Sequence, residues 1–163
     1  MARTASAVSA QRCRLSGMWA DTLLAAEKAH LMRVLVWALT SVLAGTAVLA
    51  VLAVRRWRSA LLSAFAIQTI GWGVFEAAVA IVTLLGLVPR DLSAAAQLDH
   101  HLWLETGLDM GCIAIGLTLA LTTYGYTRGR RLGGVGAGLG IIVQGAVLLA
   151  LDTRFLALVN AFI

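Results

Sequence analysis

Hydrophobic residues fall in four long blocks, at about residues 31–54, 59–88, 99–126 and 132–151, parted by short runs rich in arginine, proline, aspartate or glycine. Each block reaches or exceeds the ~20 residues a helix needs to cross a ~30 Å hydrocarbon layer. Four such blocks on short connections predict an all-α membrane protein, an up-down-up-down bundle of four transmembrane helices over residues 31–154. The few polar residues inside the blocks are not scattered. Gln68, Trp72 and Glu76 recur at i, i+4 and i+8, as do His101, Glu105 and Asp109, so each set shares one helix face. Gln144 is the one mid-block polar residue of the fourth block, and Asp152 closes that block.

The ends read differently. Residues 1–30 begin with Ala, Ser and Arg and continue with Leu15, Met18, Trp19, Leu23 and Leu24, which predicts a tail followed by a short helix lying in the membrane interface. The start lacks the apolar run of a secretory signal and is read as retained. Residues 155–163 read as an apolar C-terminal tail.

Composition strengthens the membrane reading. The 163 residues are 60% hydrophobic and 13% charged, against roughly 45–50% and about 25% in soluble domains. The formal net charge of +5 comes with no basic face or RNA-binding signature, which excludes nucleic acid as the expected partner and leaves the lipid bilayer. Arg55, Arg56 and Arg58 occupy the first connection, and Arg128, Arg130 and Arg131 the third. The positive-inside rule then puts both connections in the cytoplasm and both termini outside, although Arg3, Arg12, Arg14, Lys28 and Arg33 pull the other way. Cys13 and Cys112 are too few for a disulfide framework, and Cys112 is expected to pack as a small apolar residue.

The chemistry lies in the interior acids. In this topology Glu76 and Asp109 share a depth, Gln144 comes close to it, and Glu105 lies one turn outward. Arg33, His100, His101 and Asp152 fall at the outer mouth of an outward-facing polar site, and no Lys or Arg lies at mid-depth. Three uses suit such a set. The acids can be protonated and bind helix to helix; Glu76, Glu105 and Asp109, lined by Gln68 and Gln144, can bind a ligand or carry protons or a cation; or His101 and Glu105 can begin a metal or haem site. The last lacks the Glu-x-x-His motif of carboxylate-bridged metal centres, and no cofactor is favoured. A catalytic serine has no support without GxSxG, nor a phosphate loop without GxxxxGK[ST], so the chain reads as non-enzymatic. Gly107 with Gly111, and Gly134 with Gly138, have the spacing of close helix packing. With Gly136 and Gly140, the fourth block's glycines are expected to reach another copy or another membrane subunit.

Three segments, Trp37-Ala38-Leu39-Thr40-Ser41-Val42-Leu43-Ala44-Gly45, Glu105-Thr106-Gly107-Leu108-Asp109 and Gln144-Gly145-Ala146-Val147-Leu148-Leu149-Ala150-Leu151-Asp152, carry a resemblance. They are similar to an uncharacterised bacterial family of small four-span membrane proteins of unknown function, over about residues 31–152. The resemblance implies a multi-pass protein of the bacterial inner membrane and implies no activity.

Overall fold

The computed structural model describes the backbone of residues 2–161 and the side chains of residues 18–161 other than Leu92 and Tyr124. Cys13 lies outside the described side chains, and Phe162 and Ile163 outside the described residues. Among the described residues there is no strand. Helix α1 spans Ala2–Val54, α2 Ala60–Leu85, α3 Leu92–Thr122 and α4 Arg128–Asn160, with one 3-10 turn at Thr123–Gly125.

Each turn has a local cause. Arg56 takes φ 52°, a left-handed conformation that no helix continues, and the chain reverses there. Ser59 then starts α2 by accepting a hydrogen bond from the Leu62 amide at 3.3 Å. Leu87–Arg90 is non-helical, with Pro89 removing an amide donor. Asp91 caps α3 by accepting from Ala94 N at 2.8 Å. That backbone bond and the Ser93 hydroxyl hold the Asp91 carboxyl below its usual range, because both favour the charged form.

The four helices bury their seams at alternating spacings of three and four. In α2 the buried residues are Ala66, Thr69, Gly73, Glu76 and Ala80, the spacing of left-handed helix packing. Glycines on these seams bring backbones together. A Cβ at Gly73 would stand 2.7 Å from the Ala38 carbonyl of α1, and one at Gly116 would stand 2.7 Å from the Gly138 carbonyl of α4. Helix α4 is the hub: it packs against α1, α2 and α3, whereas α2 and α3, consecutive in the chain, make no backbone contact.

The structure corrects several expectations. Residues 2–30 form no separate tail and interfacial helix: α1 runs unbroken from Ala2 to Val54. Helix α3 begins at Leu92 instead of about 99. Helix α4 continues past Asp152 to Asn160, so the expected C-terminal tail is helical through Asn160. Its Phe155, Leu156 and Val159 are buried with Leu23 of α1 and Ala95, Leu98 and Leu102 of α3, and Trp19 and Ala26 pack against them. This three-helix cluster forms a cap at the end away from the arginine-rich turns.

The glycine expectations divide. Among the described residues, a Cβ at Gly107 or Gly111 would meet no neighbouring element within 4 Å, because α3 turns that face away from α4. Gly134 and Gly138 do pack, but against Thr123 and against Gly116 with Ala120, while Gly136 meets Leu61 and Gly140 meets Gln68. The stripe expected to reach another subunit is therefore filled by α2 and α3 of the same chain. Gly107→Ala and Gly111→Ala should leave the detergent-solubilised monomer as stable as wild type or up to ~1 kcal/mol more stable, since alanine is the better helix former; a lowered thermal midpoint would contradict the open face.

Candidate functional site

Polar side chains from all four helices converge on the interior between the helix middles and the cap. From α1 come Glu27, His30, Trp37 and Ser41, and from α2 Thr69 and Glu76. Helix α3 adds Glu105, Thr106 and Asp109, and α4 adds Gln144 and Asp152. Apart from the half-buried Trp37 and Glu105, all are buried.

Two parts of this set are fully built. Trp37 Nε1–H donates to Gln144 Oε1 at 2.6 Å, and Gln144 Nε2–H reaches the Thr69 carbonyl at 3.4 Å, so the amide of α4 ties α1 to α2. Nearer the cap, Arg90 forks onto the buried Glu27, with Nη2 at 2.6 Å from Oε1 and Nε at 2.9 Å from Oε2. A bidentate guanidinium–carboxylate pair is among the stronger polar contacts a protein makes. It fastens the α2–α3 connection to α1.

The acids are less completed. His30 stacks on Phe155 with centroids 4.4 Å apart, and its Nε2 lies 3.3 Å from Asp152 Oδ1. Asp152 of α4 shares this interior with the buried Glu76 of α2 and Asp109 of α3. Among the described residues no hydrogen-bond partner reaches either carboxyl oxygen of Glu76, or Oδ2 of Asp109. The Ser41 and Thr106 hydroxyls in the same interior are also unpartnered.

The structure thus places Glu76, Asp109 and the half-buried Glu105 in one interior with Asp152, a residue expected only at the mouth. Gln144 belongs to the neighbouring amide link. Gln68 does not join the cluster: it lines an open groove of about 280 Å³ on α2 with Gly71, Trp72 and Phe75. His101 and Glu105 pair with each other at 3.1 Å, with the His101 side chain 64% exposed. Among the described residues no three His, Cys, Asp or Glu side chains are arranged to hold a metal ion. His100 is exposed and bonds the Ala96 carbonyl, and Arg33 is exposed. The mouth is not open as expected, because the cap covers His30 and Asp152, which are 6% exposed each.

Sequence reasoning passed over Glu27, His30 and Asp152 as site residues. The available signal was spacing: Leu23, Glu27, His30, Val34, Trp37 and Ser41 continue one seam with steps of four and three, so the polar members sit on the packed face.

All four helices are long and apolar enough to cross a membrane. No curated protein and no solved structure matches the chain. A family model does match, over residues 33–153, from inside α1 to the Asp152 turn of α4. The chain belongs to this family, the family of unknown function DUF6992.

Proposed function

We propose that the chain is a non-enzymatic, multi-pass integral membrane protein whose interior acid cluster binds a proton or a small cation. It would cross the bilayer as an up-down-up-down bundle, with the arginine-rich turns in the cytoplasm and the cap outside. Helix lengths support this arrangement. The described candidate span of α1, Met18–Val54, has 37 residues, ~55 Å at 1.5 Å per residue, far beyond the ~30 Å hydrocarbon layer. The surplus at the far end coincides with the cap. There Leu23, Leu98, Leu102, Phe155, Leu156 and Val159 are buried together. Burial of such side chains contributes ~1.5–3 kcal/mol each against water and has no comparable drive against lipid, so this core suits a region outside the bilayer.

The observation that carries the binding reading is the state of the acids. Glu76 and Asp109 are 6% and 7% exposed, and among the described residues both Glu76 carboxyl oxygens and Asp109 Oδ2 lack a hydrogen-bond partner. Their neighbours are the acids Asp152 and Glu105, and His30 and His101 supply the imidazoles beside them. Buried acids of this kind mark ion and proton sites in membranes. A purely structural cluster would satisfy its oxygens, as Glu27 does with Arg90.

Infrared difference spectra across a pH titration should show protonated-carboxyl bands that change with pH. Asp109→Asn, Glu76→Gln and Asp152→Asn should each remove part of that signal. If no carboxyl titrates and neither sodium nor potassium perturbs the bands, the cluster serves packing alone.

A further inference from the structure

Charge is divided along the long axis of the bundle. The eight acidic residues run from Asp21 to Asp152; each sits on the cap-side half of its helix or in the α2–α3 connection, save Asp109, which lies at the middle of α3. At the other end, residues 55–59 and 123–131 contain no carboxylate and six arginines. Packing holds these two segments together, because the Leu61 carbonyl lies directly against Gly136 and so sets the start of α2 beside the start of α4. Arg55, Arg56, Arg58, Arg128 and Arg130 are exposed. Around them the exposed side chains are amphipathic or apolar: Trp57, whose ring lies 5.9 Å from the Arg55 guanidinium, with Tyr126, Val54 and Leu62.

We propose that this end is a binding site for anionic phospholipid, the phosphate held by arginines of both segments and the acyl chains lying along Val54 and Leu62. Guanidinium groups match phosphate oxygens two at a time. Trp57 and Tyr126 have the ring chemistry that rests at headgroup level, and the neighbouring apolar surface takes the chains. A free phosphate would use the arginines and leave that surface idle, so the arrangement favours the lipid. The site shares with the proposed function only its placement in a membrane, and it is independent of the acid cluster at the other end.

The test uses the full chain in mixed micelles of phosphatidylglycerol and phosphatidylcholine at equal amounts, with native mass spectrometry reading the retained lipid. Wild type should retain phosphatidylglycerol about tenfold over phosphatidylcholine, and each arginine removed should lower that preference up to about fivefold. R55Q/R56Q/R58Q and R128Q/R130Q should each lose most of it, since both segments contribute. Wild type in about 0.5 M salt, where exposed charges are screened, should lose it too, which provides a readout even if a variant folds poorly. Equal retention of the two lipids, or displacement by inorganic phosphate, would overturn the proposal. Flotation with vesicles of each lipid separates the causes: a chain that stays with neither loses the membrane reading as well. A chain that inserts equally into both, without preference in micelles, loses the lipid site alone.

Discussion

Arg90→Ala is expected to destabilise the detergent-solubilised protein by about 3 kcal/mol, the effect of leaving a buried carboxylate without its partner. The reason is asymmetry within the pair. The Glu27 side chain is 4% exposed, whereas that of Arg90 is 29% exposed, so removing the arginine strands a charge that water cannot reach. Glu27→Gln removes that charge and should cost less. The double variant Glu27→Gln/Arg90→Ala should recover part of the loss, and a double-mutant cycle read by thermal unfolding measures the coupling. Additive losses would show that the two side chains do not act as a pair. The hydrogen bonds that Arg90 donates to Glu27 raise the guanidinium pKa above its ordinary value, so the arginine keeps its charge throughout the working pH range. The contribution it makes is present below that ordinary value and lost only in strong alkali.

Gly136→Ala and Gly138→Ala should be comparably severe, at about 1–3 kcal/mol each. The added methyl would enter the Leu61 carbonyl at the first site and the Gly116 carbonyl at the second. Both obstacles are backbone and cannot rotate aside, so α4 would have to move away from α2 or α3. Because α4 contacts each of the other helices, that movement would spread to the whole bundle. Helix content by circular dichroism should persist while the thermal midpoint falls. Wild-type stability in both variants would show that the helices pack less closely than the structure has them.

The number and order of the helices are legible in the hydrophobic blocks, and three of the site acids in their i, i+4 spacing. The extents of α1 and α4 are not. Glu27, Lys28, His30 and Arg33 interrupt the hydrophobic run before the first span, and Asp152, Thr153 and Arg154 do so after the fourth. Hydropathy alone places a boundary at such interruptions. Glu27 is tolerated within the helix because Arg90 meets it, and His30 because Asp152 does; these partners lie 63 and 122 positions away in the chain. Asp152 illustrates the same difficulty: no local pattern reveals that an acid at the end of an apolar block meets His30 of another helix. The glycine pairs fail for a related reason. Their spacing marks a surface that permits close approach, but which helix, if any, takes that surface depends on how α3 is rotated against α4.

The unbroken course of α1 has a mechanical consequence. It contains no proline between Met18 and Val54, so it behaves as a stiff lever with one end at the arginine-rich turn. His30 lies 24 residues from Val54, ~36 Å up the shaft at 1.5 Å per residue. A change of only ~5° in the tilt of α1 against α4 would carry that imidazole sideways by ~3 Å. Such a swing equals the whole separation of His30 from Asp152, so that contact survives only while α1 and α4 hold their mutual tilt.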